Sequence, residues 1–240
     1  MATTHLPLLA ALFLAGCAAS EHEHTTLPAT SPEGVLASLE AGNERFHEFH
    51  AIHPDRSMER MKELRNGQHP GAVVIGCSDS RVVPELIFDQ GLGDIFSVRT
   101  AGNVVGGYEL ASVEYAVEHL GTPLVVVMGH TQCGAMQAFL AEPHEPCHGH
   151  MRELMAYLKA EEEEKAAAAD GTPFTVQDAT LANIAHGVHA IERLFEELAA
   201  DGHPVKARVV GALYHMDDGH VEWVHGARPV PEGGQMGVVR

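Results

Sequence analysis

Two short β-branched runs bounded by glycine stand out along the chain: Gly71-Ala-Val-Val-Ile-Gly76 and Leu124-Val-Val-Val-Met-Gly129. Continuous apolar runs of this length read as strands buried on both faces, as inside a parallel sheet. Around them the period changes to that of helices. Ser31-Pro32 pairs a capping hydroxyl with a proline whose missing N–H does no harm in a first turn, so a helix is expected from there towards Phe49. A second helix is expected from Met58 to Arg65, stopped by Asn66-Gly67, then one or two helical turns from Pro84 to Phe88 and a strand over 95–99. Leu110, Val113, Val117 and Leu120 are spaced for a helix over 108–120, with Gly121 as its stop, and another helix opens at Gly134. The longest amphipathic stretch, 178–199, carries Leu181, Ile184, Val188, Ile191, Phe195 and Leu198 on one stripe. Residues 208–214 and 221–224 flank Asp217-Asp218-Gly219 and predict a hairpin. Strands alternating with helices predict an α/β fold: a mainly parallel central sheet with flanking helices and an antiparallel edge hairpin.

Chemistry gathers where the two buried runs end. The first leads into Cys77-Ser-Asp79-Ser-Arg81, the second into His130-Thr-Gln-Cys133. Open α/β sheets build sites where loops leave the carboxyl ends of neighbouring strands, so both clusters belong to one sheet edge. Two thiolates and an imidazole supply three zinc ligands. The fourth tetrahedral position then stays open for water, the arrangement of a catalytic site. Asp79 and Arg81 add an acid–base pair beside the first ligand.

At these residues the chain resembles the β-class carbonic anhydrases. The resemblance includes Gly42-Asn43-Glu44-Arg45-Phe46, Cys77-Ser-Asp-Ser-Arg-Val-Val-Pro-Glu-Leu86 and Gly93-Asp-Ile-Phe96-Ser-Val-Arg99-Thr-Ala-Gly-Asn103. It continues through Ser112-Val-Glu-Tyr115-Ala-Val, Gly129-His-Thr-Gln-Cys-Gly-Ala135, Gly211-Ala-Leu-Tyr214 and Val221-Glu-Trp-Val224. The resemblance implies one zinc per subunit on Cys77, His130 and Cys133, and reversible hydration of carbon dioxide to bicarbonate. Asp79 would accept a hydrogen bond from the zinc-held water and Arg81 would hold Asp79. Gln68 matches a substrate-binding glutamine of the plant-like, non-regulated branch. Phe96 and Tyr115 match the aromatics of that branch's pocket, one of them supplied by a neighbouring subunit, and Gly134 matches a backbone amide facing substrate. In a regulated branch the counterpart of Asp79 closes the site by binding the metal. The family also implies a homodimer, with pairing into tetramers. Two other functions remain open on the same scaffold: hydrolysis of carbon disulfide or carbonyl sulfide, and non-enzymatic zinc binding by a periplasmic lipoprotein.

The first residues follow a different logic. An apolar stretch over 6–15 suits a signal-peptide core and is too short to span a bilayer. Leu14-Ala-Gly-Cys17 then reads as a lipobox, so the expected organisation is a leader over 1–16, lipidation at Cys17 and a flexible tether over 17–30. The β-carbonic anhydrase-like domain follows over 31–226, and an irregular tail over 227–240. Ala18 and Ala19 after that cysteine suggest a periplasm-facing protein of the outer membrane. The net charge of −18 argues against nucleic acid and against electrostatic attraction to anionic lipid, leaving the acyl chains as the membrane attachment.

The segment His144-Glu-Pro-Cys147-His148-Gly-His150 departs from the family pattern. It reads either as a second metal site or as a solvated histidine loop, and its imidazoles are also candidate proton carriers. The acidic run Glu161-Glu-Glu-Glu164 reads as a solvated helix end.

Overall fold

The computed structural model describes residues 31–141, 147–160 and 174–224. The β-branched runs form the two inner strands of a five-stranded sheet. Its strands are β1 (Ala72–Cys77), β2 (Ile95–Thr100), β3 (Leu124–His130), β4 (Arg208–Tyr214) and β5 (Val221–Val224), ordered β2-β1-β3-β4-β5. All neighbours are parallel except β4 and β5, which form the expected antiparallel edge hairpin. The helices are α1 (Pro32–His47), α2 (Met58–Glu63), α3 (Pro84–Ile87), α4 (Gly107–His119), α5 (Gly134–Ala141), α6 (His150–Ala160) and α7 (Val176–Ala200).

Every residue of β1 and β3 is buried, as uninterrupted apolar runs require. Their side chains alternate between two layers. Val74, Leu124, Val126 and Met128 pack under α1 and α3 with Phe88 and Leu39. Val73, Ile75, Val125 and Val127 face α4 and α7 with Val113, Ile184 and Ile191. Burying each such side chain contributes roughly 1.5–3 kcal/mol, so these two strands anchor the fold.

Helix ends follow their caps. Ser31 Oγ accepts from the Gly34 N–H at 3.1 Å and starts α1 at Pro32, as expected. The α1 helix stops at His47, short of Phe49, whose φ of 60° lies in the left-handed region. The longest helix, α7, starts at Val176 because Thr175 Oγ1 accepts from the Asp178 N–H at 3.2 Å, while Asp178 Oδ2 accepts from the Thr175 N–H at 2.8 Å.

Asn43 ties α1 to the edge hairpin. Its amide donates to the carbonyls of Ile87 and Gly219 at 3.1 and 2.9 Å, and its Oδ1 accepts from the Val221 N–H at 2.8 Å. The α6 helix has no clear signal in the sequence, where a histidine-rich stretch before it and an acidic run after it dominate the pattern. Its Met155 and Leu158 are nonetheless fully buried, packing with Cys77, Cys133 and Met136 in a third apolar cluster. No helix among the described residues is long and apolar enough to cross a membrane.

Candidate metal centre

The sheet register brings the two sequence clusters together. Cys77 ends β1 and His130 ends the adjacent β3, while Cys133 immediately precedes the first turn of α5. The ligand atoms of Cys77, His130 and Cys133 lie within 4.8 Å of one another and all three residues are buried. Among the described residues no other group of three qualifies, so Cys147, His148 and His150 do not form a second one. His144 and Cys17 lie outside the described residues, as do the leader, the tether, the acidic run and the tail.

The surrounding backbone suits anionic sulfur. Cys77 Sγ accepts from the N–H groups of Gly102 at 3.3 Å and Asp79 at 3.4 Å. The Cys77 thiol is pulled well below its usual range, first by the hydrogen bond from the Cys133 thiol, against the penalty of burial, then by the amides of Asp79 and Gly102. Sharing that proton and burial push Cys133 the other way, while the Met136 and Ala135 amides at the start of α5 favour its thiolate. Sulfurs that share a proton release it to a divalent cation, since metal binding to thiols displaces protons.

His130 completes the test of fit. Its Nδ1 lies 2.8 Å from the Thr131 carbonyl, which can only accept, so Nδ1 carries the proton and Nε2 a lone pair. That Nε2 is buried and has no hydrogen-bond partner. A buried acceptor left unpaired beside two sulfurs fits a metal ligand, and the donor set fits zinc.

Asp79 and Arg81 form the expected pair. Arg81 Nε donates to Asp79 Oδ1 at 2.9 Å, Nη2 to Oδ2 at 2.7 Å, and the Arg81 N–H to Oδ1 at 3.0 Å. The Arg81 guanidinium holds the Asp79 carboxyl well below the usual carboxylate range, outweighing partial burial. The carboxylate is thus turned to Arg81, and its oxygens are not among the mutually close ligand atoms. Gly134, at the start of α5, borders open space: a Cβ built there meets nothing within 4 Å.

Three further residues are expected in the pocket, one of the aromatics from a neighbouring subunit. Phe96 pairs with Val73, four positions short of the Cys77–Thr100 pair, and a strand rise of about 3.3 Å per residue puts it some ~13 Å from the ligand end. Its ring is 6.3 Å from that of Tyr115, which is 46% exposed. Gln68 is exposed and precedes β1 at the sheet's opposite edge. The structure therefore brings Phe96 and Tyr115 to each other and sets Phe96 towards the strand end opposite the ligands of the same chain.

Arg99 has a role that the sequence does not signal. Its Nε donates to the Cys77 carbonyl at 3.1 Å and its Nη2 to the Asp79 carbonyl at 2.8 Å, clamping the loop that carries both residues. Asn183 of α7 donates to the Gly102 carbonyl at 2.8 Å and so aims the Gly102 N–H at Cys77. Only the Gly76–Arg99 register could have signalled the first, and only the packing of α7 the second.

Comparison with known proteins agrees with this site. A family model described as carbonic anhydrase matches residues 72–221. A carbonic anhydrase of Mycolicibacterium smegmatis is 39% identical over 202 residues, covering 82% of this chain and 95% of the relative. The chain belongs to the β-carbonic anhydrase family. Carbonic anhydrase 2 of Mycobacterium tuberculosis is 51% identical over 115 residues, which span 48% of this chain and 56% of that relative. The solved β-carbonic anhydrase of Coccomyxa, in complex with acetazolamide, superposes with a TM-score of 0.60 at 26% identity, covering 79% of this chain and 86% of that one. Cys77, His130 and Cys133 form the cluster typical of a β-carbonic anhydrase zinc site.

Proposed function

We propose that this chain catalyses the reversible hydration of carbon dioxide to bicarbonate and a proton. The observation that carries the reading is the buried Cys77, His130 and Cys133 triad beside an ionised, Arg81-bound Asp79. Zinc, when bound, lowers the pKa of a coordinated water from about 15.7 to roughly 7 and so supplies a nucleophile at neutral pH.

The residues of the chain do the rest. Asp79 stays ionised under the Arg81 guanidinium and accepts a hydrogen bond from the reacting water, fixing its orientation. Arg99 holds the Asp79 backbone by its carbonyl. The Gly134 amide opens α5, where N–H groups and the helix dipole favour the charge that gathers on the substrate oxygens. Zinc storage would have no use for the Asp79–Arg81 pair, which favours catalysis over a buffering role.

The pocket is completed, on this reading, by a second copy in a homodimer of the plant-like branch. The support is geometric: Gln68, Phe96 and Tyr115 are at least partly exposed, and Phe96 sits towards the strand end opposite its own chain's ligands, which leaves these side chains open to a neighbouring chain. Sedimentation of the purified chain as a dimer supports this, and a monomer with full activity sinks it.

The chain is also proposed to be a lipoprotein held at the periplasmic face of the outer membrane through Cys17, on the strength of its apolar leader and the Leu14-Ala-Gly-Cys17 sequence. Labelled palmitate should enter the wild-type chain and not Cys17→Ser. For the activity itself, stopped-flow hydration of carbon dioxide by the zinc-loaded protein decides. Absence of hydration above the buffer background rejects the proposal.

A further inference from the structure

Thr131 and Gln132 separate the ligands His130 and Cys133, and the turn after β4 grips both. Every polar group of Thr131 is engaged. Its N–H donates to the Tyr214 carbonyl at 3.0 Å, its Oγ1 accepts from the Met216 N–H at 2.9 Å, and its carbonyl lies 2.8 Å from His130 Nδ1. Gln132 carries the reversal that returns the chain to Cys133. Its φ of +58° lies in the left-handed region, which residues other than glycine adopt only at a cost. Its Nε2 lies 3.0 Å from Asp217 Oδ1, and because a carboxylate only accepts, the Gln132 amide donates.

The turn that presents Asp217 is braced. The His215 N–H donates to the His220 carbonyl at 2.8 Å and the Gly219 N–H to the His215 carbonyl at 2.9 Å. Asn43 of α1 holds the Gly219 carbonyl and the Val221 N–H from the other side. Cys133 is fixed on its far side as well, since its carbonyl accepts from the Gln137 N–H of α5 at 3.0 Å. The strained residue thus sits between two anchored elements. The bonds of Thr131 act one position away from it, whereas the bond to Asp217 acts on Gln132 itself.

We propose that Gln132 is a positioning residue of the metal centre, its bond to Asp217 holding the loop in the turn that aims His130 and Cys133 at one cation. The proposal rests on the reading of Cys77, His130 and Cys133 as zinc ligands. Gln132 touches no ligand atom of its own and acts through its two neighbours. Rotation of the backbone at 132 swings Cys133 relative to His130, and zinc tolerates little of this, because its bonds to sulfur and nitrogen are confined to about 2.0–2.3 Å. A carboxamide suits the position because it bonds Asp217 without adding charge beside two sulfurs. Glycine would take the same φ freely but would make no such bond.

The experiment uses the full chain purified with zinc. Gln132→Glu sets one carboxylate against another and should speed zinc release to a chromophoric chelator about tenfold, the lower end of what disturbing a ligand's neighbour does, because both partners are exposed. Adding Asp217→Asn gives the new glutamate an amide donor, so the double variant should recover most of the lost retention, a coupling that independent sites do not show. With cobalt in place of zinc, the visible bands should change in Gln132→Glu and return in the double variant, which a loss of stability alone would not produce. Where Gln132→Glu does not fold, Gln132→Gly removes the bond and keeps the turn, and it too should release zinc faster than the parent. A parent that holds zinc, with release unchanged in the single variant or unrestored in the double one, overturns the proposal alone. A parent that binds no zinc overturns the metal-centre reading and the proposal with it.

Discussion

Arg81 holds Asp79 from two directions, with its side-chain fork on both carboxylate oxygens and its own backbone N–H on one of them. A fork matched to a carboxylate fixes orientation as well as charge, and a lysine ammonium, a single point, cannot do the same. The pair places an oriented acceptor beside the three ligands, which separates a catalytic centre from a metal store.

Asp79→Ala should retain zinc and lose about a hundredfold or more in kcat/KM, the scale of a positioned acid–base or electrostatic group. Arg81→Ala should act through pH. The Asp79 pKa is depressed by Arg81, so the aspartate is ionised through the neutral range and protonates only well below it. Without the guanidinium its pKa rises towards the ordinary value, and the acid limb of the pH–rate profile moves up in pH. A limb that stays in place would show that Asp79 does not govern it.

Gly102 has a φ of +69°, and a Cβ there would lie 2.9 Å from Ala135 Cβ. Gly102→Ala is therefore strained twice and turns its N–H away from Cys77. The expected outcome is a zinc affinity lower by about ten- to a hundredfold, the usual effect of disturbing a ligand's hydrogen-bonding neighbour, read by competition with a chromophoric chelator.

Removal of zinc should expose Cys77 and Cys133 to each other, because their sulfurs already lie within 4.8 Å. With a chelator and oxidised glutathione the free-thiol titre should fall as the two join. Cys147, a free thiol in this structure, should remain titratable in Cys77→Ser. Zinc-loaded protein under the same oxidant should keep its titre.

Asp89 makes an acid-sensitive tie. Its side chain is wholly buried, and burial alone would raise its pKa. Arg45 at 2.6 Å and the N–H groups of Ile52 and His53 outweigh this, so the net shift is downward. The stability it contributes is therefore present above the unfolded pKa of about 3.9 and lost as pH falls through the lower folded value. Asp89→Asn should flatten the acid side of the urea-midpoint curve and lower stability near pH 7 by about 1–3 kcal/mol.

Asn43→Ala removes three hydrogen bonds at a buried position and orphans the partners on α3 and the hairpin. The expected loss is about 2–4 kcal/mol, read from chemical denaturation. A change below half that range would mean that water replaces the amide.

Local pattern reached far along this chain. The apolar runs at β1 and β3 were legible because a strand buried on both faces has no polar position to break the run. Caps such as Ser31 and a stripe such as that of α7 act within a few residues, so spacing alone exposes them. Cys77, His130 and Cys133 were legible for another reason: their side-chain chemistry admits few uses, and each sits at a strand end. What only the tertiary structure decided are relations across strands and helices. The register gave Arg99 its hold on Cys77 and Asp79 and set Phe96 towards the strand end opposite the ligands, and the seating of the turn after β4 on the metal loop joined Gln132 to Asp217. Such contacts join residues far apart along the chain. Register and packing are settled by burial summed over the whole sheet, a sum that no single stretch of sequence contains.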